Sequence, residues 1–536
     1  MSEAGAATGN FHLLRQRLFA TLWAATVMGN TGSFLRDVAS AWLTTGLSSS
    51  PTAVATVQAA ATLPVFLLSI PAGVLADTLD RRKFLMAIQL MLACVSIGLM
   101  LLSASGAQSV SSLAVLTFMG GVGAALMGPT WQAIVPELVP RKDLRNAVAL
   151  NSLGVNISRA IGPAIGGLLL SSLGAAFTYG IDVLTYLFVV AALLGWRRPE
   201  QPRDELSEHF AGAFRAGVRY AKASRELQTV LFRAFLFFML SSAVWALLPL
   251  VARELLNGGS SLYGALLGAV GVGAIGGAIL LPRLRTQLDA DGMLLFSALA
   301  TAAVMALLAS SPPQWLALCV LLFLGVAWIA ALTTLNGVTQ SILPNWVRGR
   351  SLAVYLTVFN GAMTIGSLGW GLVAQRSSIA MALLLGATCL VLTGLLAHRV
   401  RLPAGEADLL PSGHWPEPPT ASSPDVERGP VLVIIEYTVD PKDRAGMLDA
   451  LSKLSAERRK DGAYAWGVME DAADPSVMIE WFMLESWGEH LRQHHRVSRA
   501  DAEIQAEALG LHVGEAGPVV RHLLALGQAR DTPSKR

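Results

Sequence analysis

The chain has 536 residues and a formal net charge of +3, and 53% of its residues are hydrophobic while only 14% are charged. Soluble domains carry roughly 25% charged residues, so this composition excludes an ordinary soluble protein. The small net charge gives no sign of a nucleic-acid partner, and none is expected. A mean hydropathy of +0.52 indicates that the lipid bilayer is the main partner of the chain.

Apolar runs of about 20 residues, the length that crosses a bilayer, recur from Leu18 to Ala397. We predict an all-α membrane protein of about twelve transmembrane helices in two parallel-repeat halves, followed by a soluble α+β domain. The predicted spans are 18–46, 53–76, 84–104, 110–132, 147–171, 175–195, 229–251, 262–282, 292–310, 315–337, 351–374 and 378–397.

Cations are concentrated in alternate loops between these spans. The loops near 47–52, 103–111, 171–175 and 311–314 hold no Lys or Arg, whereas the opposite set holds Arg81, Arg82, Lys83, Arg141, Lys142, Arg145, Arg197, Arg198, Arg203, Arg283, Arg285, Arg348 and Arg350. By the positive-inside rule the basic set is cytoplasmic. We therefore predict a multi-pass protein of a bacterial-type inner membrane, with both termini in the cytoplasm.

Composition divides the chain into six segments. They are a polar leader at 1–17, an N-terminal six-helix half at 18–196, a cytoplasmic inter-half loop at 197–228, a C-terminal six-helix half at 229–400, a Pro-rich linker at 401–428 and a cytoplasmic soluble domain at 429–525. The prolines of the linker favour a semi-extended tether without a packed core.

The two membrane halves share short sequence matches. Residues 131–139 read WQAIVPELV and residues 339–347 read TQSILPNWV, with Gln, Ile, Pro and Val at equivalent positions. Asn156 and Ile161-Gly162 likewise match Asn360 and Ile365-Gly366. Both matches fall at corresponding places in the two halves, which indicates a parallel repeat with a binding site near the midplane.

The soluble segment alternates strand and helix patterns. Apolar strands are predicted at 431–439, 464–469, 477–484 and 518–524, with helices at 441–460 and from about Ser486. The order β-α-β-β-α-β predicts a ferredoxin-like domain. Its His490 and His494 share a helical face, but no further metal-ligand spacing accompanies them, so we expect a solvated face and no metal.

The segment GVLADTLDRRK, residues 73–83, lies between two spans and resembles the loop between the second and third helices of the major facilitator superfamily. Asp80 replaces the usual second glycine. The resemblance implies a secondary transporter with no cofactor, driven by a proton gradient. It also implies a conformational latch at the cytoplasmic face, formed by Gly73, Asp77, Arg81 and Arg82 with Arg141 or Arg145.

Span five contains GPAIGG, residues 162–167, which resembles the antiporter motif G-P-x-x-G-G, with Ser158 in place of the glycine that usually begins it. Gly162, Pro163, Gly166 and Gly167 then mark an exporter. The alternative is ordinary packing of small residues between helices.

Four of the charged residues inside predicted spans are singled out and are expected to face the bundle interior or a partner. They are Arg36 and Asp37 in span one, Arg159 in span five and Asp182 in span six. Adjacent helical residues point about 100° apart, so we do not expect Arg36 and Asp37 simply to satisfy each other, and we expect Arg159 to pair with Asp182 or Asp37. Asp37 is the candidate proton carrier and Arg159 a candidate anion ligand; a structural ion pair is the alternative.

Polar amides on several spans predict a substrate cavity for an amphipathic molecule. They are Asn30, Gln58, Gln132, Asn151, Asn156, Asn336, Gln340 and Asn360. Each is also compatible with a helix–helix hydrogen bond. Trp245 and Trp328 are candidates for stacking on an aromatic ligand, or for packing.

The soluble domain resembles antibiotic-biosynthesis monooxygenase modules. A membrane domain of this type followed by such a module resembles the transmembrane secretion effector subgroup, which includes enterobactin exporters. The resemblance implies a proton-coupled exporter of a siderophore or drug-like small molecule, not an enzyme, with self-association or regulation as the role of the module. An importer, a carrier of another metabolite, and a membrane-anchored monooxygenase or haem-binding module are the alternatives. No phosphate-binding loop occurs, so nucleotide-driven transport is not expected.

Overall fold

A computed structural model describes residues 12–140, 143–196, 210–344, 346–403 and 428–526, together with 405, 409, 412 and 425. The first 400 residues are mostly helical. The helices are α1 (Arg17–Leu47), α2 (Pro51–Thr78), α3 (Arg81–Ala104), α4 (Val110–Leu138), α5 (Leu144–Leu194), α6 (Phe210–Ala223), α7 (Arg225–Leu250), α8 (Ser260–Leu284), α9 (Ala290–Ala309), α10 (Gln314–Ser341), α11 (Arg348–Arg376) and α12 (Ile379–Ala397). A 3₁₀ turn at His12–Arg15 precedes α1, and a π-helical turn at Val251–Leu255 follows α7.

Ten helices in the described ranges are long and apolar enough to cross a membrane. The longest, α5, is broken at Gly174, whose φ of +81° suits glycine and divides the helix into two arms near the predicted loop at 171–175. Helix α1 has 31 residues but carries Arg36 and Asp37, and it is not among the ten. The chain is thus a mostly helical, multi-pass membrane protein.

The described residues form two compact units. Unit 1 falls within Met1–Leu206, Leu231–Gly337 and Tyr355–Leu402 and contains the membrane helices. Unit 2 falls within Ser207–Val230, Val338–Val354 and Pro403–Arg536 and contains the C-terminal sheet. The predicted leader and linker, and Arg141, lie largely or wholly outside the described residues. Of the predicted inter-half loop, 197–209 lie outside them, and the remainder holds α6 and the start of α7.

In unit 1 the glycines of span five sit at the crossing of α5 and α8. A Cβ at Gly167 would lie 2.8 Å from Gly264 Cα, and a Cβ at Gly264 would lie 2.5 Å from the Pro163 carbonyl oxygen. Gly162 faces α1, where a Cβ would lie 2.7 Å from Phe34 Cβ. The residues that resemble the antiporter motif therefore allow α5 to approach two helices at backbone distance, as small residues do in membranes.

Helices α2 and α11 also join the two membrane halves, through polar side chains. Ser50 Oγ donates to Gln375 Oε1 at 2.6 Å. The hydroxyls of Thr62 and Thr364 are 2.7 Å apart, and those of Ser69 and Thr357 are also 2.7 Å apart. These hydrogen bonds run from the N-terminal end of α2, next to the loop at 47–52, to beyond the middle of the helix.

Unit 2 contains a four-stranded antiparallel sheet in the order β2-β3-β1-β4. The strands are β1 (Val431–Thr438), β2 (Ala465–Glu470), β3 (Val477–Leu484) and β4 (Val519–Leu524), and the helices are α13 (Arg444–Lys460), α14 (Trp487–Arg496) and α15 (Arg499–Gly510). This order of elements is compatible with the predicted ferredoxin-like domain, with α15 as an additional helix.

Alternate residues of β1 and β3 are buried, as the period of a strand requires. They form a core with the apolar face of α13, and Val433, Tyr437 and Phe482 lie at its centre. Helix α6 packs in the same unit, where Arg219 binds Glu489 at 2.7 Å and Arg496 lies over the Trp346 ring at 4.3 Å.

The α5–α8 crossing predicts that a large side chain at Gly264 destabilises unit 1. Gly264→Leu forces the two backbones apart, because overpacking costs about 1–3 kcal/mol or more. The measurement is the thermal unfolding midpoint of the detergent-solubilised protein.

Gly276→Leu is the matched control on the same helix, since no atom lies within 4 Å of the place its Cβ would occupy. Equal midpoints for the two variants would contradict the tight crossing.

Candidate transport site

An ion cluster, buried at Arg36 and Asp182 and exposed at Asp37, joins the first helix to the second arm of α5. Arg36 Nη1 lies 3.8 Å from Asp182 Oδ2, and Arg36 Nη2 donates to Asp37 Oδ1 at 3.1 Å. Asp182 has no exposed surface, whereas 49% of the Asp37 side chain is exposed. Arg36 thus does bind the adjacent Asp37, but the two do not simply satisfy each other, because Arg36 also contacts Asp182 and Tyr186. The Arg36 side chain is long enough to bend back toward Asp37 and to contact both carboxylates. The angle of about 100° between the directions of adjacent helical residues therefore does not prevent the pairing.

The pairing predicted for Arg159 is also not found. Arg159 is half-buried on α5, and the described residues provide no ion pair between it and Asp182 or Asp37. Asp182 instead pairs with Arg36, which lies on the neighbouring helix α1.

The surroundings of Asp182 hold the carboxylate in place. Ser96 Oγ donates to Asp182 Oδ2 at 2.6 Å. Gly32 of α1 leaves the space that the carboxylate occupies, since a Cβ there would lie 2.5 Å from Asp182 Oδ1 and clash with Thr185. A buried carboxylate is costly unless it is paired and hydrogen-bonded, and this one has both an arginine and a hydroxyl.

Tyr186 connects this cluster to an open cavity. Its hydroxyl accepts a hydrogen bond from Arg36 Nη1 at 2.7 Å and lies 2.9 Å from Ser33 Oγ. The same tyrosine lines a cavity of about 180 Å³ with Thr26, Gly29, Asn30, Gln89, Met127, Gly128, Trp131, Gln132, Asn151, Val155 and Val189. The cavity is thus a mixture of amides, aromatic rings and apolar side chains, with an arginine-bound hydroxyl on its wall.

The cavity lies toward the end of the bundle that carries the basic loops. Asn30 is in the first half of α1, Gln132 is near the end of α4 just before the basic loop at 141–145, and Asn151 is near the start of α5. The cavity therefore lies in the part of unit 1 nearer the basic loops.

Three of the eight predicted cavity amides meet there: Asn30, Gln132 and Asn151. Asn151 also accepts a hydrogen bond from Trp131 Nε1 at 2.8 Å. Asn156 and Asn360 each donate to the carbonyl four residues earlier in their own helix, which is the structural alternative. Gln58 and Asn336 do not line the cavity, and Gln340 belongs to unit 2. Sequence reasoning missed Gln89, Trp131 and Tyr186, although all three are polar or aromatic residues inside apolar spans.

The latch residues are only partly described. The side chains of Asp77 and Arg145, like all of Arg141, lie outside the described structure. Arg81 Nη1 donates to Glu137 Oε1 at 2.7 Å, and Arg82 donates to the carbonyls of Leu193 and Leu194 at the end of α5. Glu137, which the sequence interpretation did not single out, is the buried partner that ties α3 to α4. A Cβ at Gly73 would meet no atom within 4 Å, so that glycine is not needed for close packing here.

The second membrane half holds a further ion pair that sequence reasoning missed. Arg233 Nη1 donates to Asp291 Oδ1 at 2.7 Å, and both residues are buried. Trp245 and Trp328 pack edge to face at 4.9 Å, and Phe238 and Phe359 pack against Trp328. In this structure the two tryptophans therefore serve packing.

In unit 2 the expectation of a solvated face for His490 is wrong. His490 is 1% exposed, because α14 turns this side toward the sheet. Burial, and then the neighbouring His494 and His522, lower the pKa of His490 to about 3. His494, one turn later, is half-buried.

Comparison with known proteins identifies the family of this chain. The sequence profile of the family described as transmembrane secretion effector matches residues 8–532. The chain belongs to the transmembrane secretion effector family of the major facilitator superfamily. It is therefore a transporter by family, with the multi-pass helical architecture found in unit 1.

Curated relatives of this secretion effector include the enterobactin exporter EntS of Escherichia coli O1:K1 / APEC, which is 29% identical over 344 residues, 61% of this chain and 80% of the exporter. The staphyloferrin A transporter of Staphylococcus aureus (strain NCTC 8325 / PS 47) is 25% identical over 222 residues, 41% of this chain and 56% of that protein.

Solved structures of similar fold include a D-xylose–proton symporter (TM-score 0.57, 16% identity, 74% of this chain and 99% of that chain). A bacterial homologue of the human lysosomal transporter Spinster, in an inward-facing and unoccupied conformation, gives a TM-score of 0.55 at 16% identity over 72% of this chain and 98% of that chain. At these identities the likeness concerns the fold alone.

The Arg81–Glu137 pair predicts strongly non-additive mutations. Arg81→Gln removes the guanidinium that binds the buried Glu137 side chain and should destabilise the protein by up to about 3–5 kcal/mol. The double variant Arg81→Gln/Glu137→Gln removes both charges and should recover part of that loss. Thermal unfolding of the purified variants measures both effects, and a double variant less stable than Arg81→Gln would contradict the pair.

Proposed function

We propose that this secretion effector is a proton-coupled exporter of a siderophore or a similar drug-like, amphipathic small molecule. The observation that carries the proposal is the Tyr186 hydroxyl, which lines the cavity and accepts a hydrogen bond from Arg36, the arginine that pairs with the buried Asp182 and the exposed Asp37. A ligand that contacts Tyr186 in the cavity and a proton that binds a carboxylate would then both change the contacts of Arg36.

Asp37 carries the transported proton in this proposal. It is the more exposed of the two carboxylates and shares Arg36 with Asp182. Protonation of Asp37 weakens its attraction for Arg36, and the guanidinium then binds Asp182 and Tyr186 more closely. A proton thus shifts the balance between two arrangements of α1 against α5, which is what coupling requires.

The cavity chemistry supports an amphipathic substrate. Asn30, Gln132 and Asn151 offer hydrogen bonds, while Met127 and Trp131 offer apolar and aromatic surface. Relatives named for enterobactin export and staphyloferrin A transport support a siderophore. Arg159 is kept as a candidate anion ligand for a later stage of the cycle, since it does not line this cavity.

The proposed setting is a bacterial inner membrane with both termini in the cytoplasm. The support is the concentration of Lys and Arg in alternate loops, together with the position of the cavity near those loops. A substrate made in the cytoplasm would then enter the cavity directly. The C-terminal module is proposed to associate with itself or to regulate export.

Asp37→Asn should abolish protonophore-sensitive export. Asparagine keeps the size of the side chain but cannot release a proton at neutral pH, so coupling is lost. The measurement is efflux of a panel of siderophores and dyes from cells that lack their own exporters, with and without a protonophore.

Glu254→Gln is the control, because Glu254 is an exposed carboxylate of the same unit and lies outside the ion cluster. Unchanged export by Asp37→Asn refutes the proton role. Uptake in place of export by the wild type, with the protein confirmed in the membrane, refutes the exporter proposal.

Tyr186→Phe should separate binding from coupling. The ring that lines the cavity remains while the hydroxyl that binds Arg36 is lost, so substrate affinity should fall less than about fivefold, a cost near one neutral hydrogen bond. Proton-driven export should fall by a larger factor. Equilibrium binding and vesicle transport measure the two, and equal losses in both would contradict the role of this hydroxyl as a link.

A further inference from the structure

We propose that the C-terminal module binds one divalent transition-metal ion through His490, His494 and His522. The three residues offer ring nitrogens that all lie within 4.8 Å of one another. The site belongs to the soluble sheet domain and is independent of the transport proposal.

Two of the ligands come from a single face of α14. His490 and His494 are one turn apart, where helical side chains are neighbours, and their Nε2 atoms are 3.3 Å apart. A tetrahedral ion with metal–nitrogen bonds of 2.0–2.1 Å holds its ligand nitrogens about 3.3–3.4 Å apart. The pair already has the separation that such an ion needs.

The third ligand comes from β4, which is distant in sequence. His522 pairs with Val433 of the neighbouring strand, and its ring centroid is 4.6 Å from that of His490. The register of β4 on β1 thus sets where His522 lies along the sheet and places its ring beside α14. A hydrogen-bonded pair of imidazoles explains His490 and His494, but it does not explain why a third ring is held against them.

The surroundings are those of a metal site. Trp487 packs against His490 at 5.2 Å and against His522 at 6.1 Å, and thereby fixes both rings. Within the described residues, His490 Nδ1 and both amide atoms of the fully buried Gln493 have no hydrogen-bond partner. Metal-bound histidines usually donate their second ring N–H to an acceptor, and Gln493, next to His490 on the same helix, can supply one.

The donor set selects the class of ion. Neutral imidazole suits Zn²⁺, Cu²⁺, Fe²⁺ and Ni²⁺, whereas Ca²⁺ and Mg²⁺ prefer oxygen ligands. Three protein nitrogens leave one tetrahedral position for water or an outside ligand. Only one of the three histidines is fully buried, so an ion can enter from the side of His494 and His522.

The test uses the full-length protein, purified through a tag without histidine, stripped with a chelator and then dialysed against zinc. Metal analysis should find one Zn²⁺ per chain in the wild type, and Co²⁺ in its place should give the visible absorption bands of a tetrahedral site. His494→Gln/His522→Gln should lose the equivalent of zinc and the cobalt bands, while His398→Gln, at an exposed histidine outside the module, should keep both.

A wild type that holds no zinc, or the same zinc content in wild type and double variant, would overturn the proposal. Both substitutions are at half-buried positions, and thermal unfolding of the metal-free proteins shows whether the double variant is folded. If it is not folded, the cobalt spectrum of the wild type decides, because a protein without the site gives only the weak bands of hydrated cobalt.

Discussion

The ion cluster of Arg36, Asp37 and Asp182 is the interaction on which the rest of the N-terminal half depends. Charges inside a membrane protein are costly unless they are paired and hydrogen-bonded. Ser96 and Tyr186 supply the hydrogen bonds, and Gly32 supplies the space that lets α1 approach Asp182. Burying Arg36 and Asp182 costs free energy. In the proposed transport cycle the contacts of these charges change, which gives a functional reason for keeping them.

Backbone proximity is the second constraint. Small residues at the α5–α8 crossing bring the two membrane halves within van der Waals distance at Gly167 and Gly264. Interfaces of this kind have no hydrophobic driving force in lipid and rely on close packing. The α5–α8 crossing and the hydroxyl pairs between α2 and α11 therefore join the two halves by close backbone packing and by hydrogen bonds.

Sequence reasoning predicted the helical membrane domain, the strand order along the C-terminal module and the residues of the charge cluster, because hydropathy, period and rare charges are local signals. It failed where a long side chain or a distant strand decides the outcome. The Arg36 side chain bends back to bind Asp37, and Arg81 pairs with Glu137. His522 lies on β4 and packs beside His490 of α14. Such pairings depend on how helices and strands pack, and single-sequence periodicity does not contain that information.

The most direct test of the account is transport in inside-out vesicles with an imposed pH gradient, acid inside, compared with exchange of labelled for unlabelled substrate without a gradient. The account predicts that the wild type accumulates substrate and that Asp37→Asn still exchanges substrate but does not accumulate it. Accumulation by Asp37→Asn equal to that of the wild type would contradict the claim that this cluster couples protons to export.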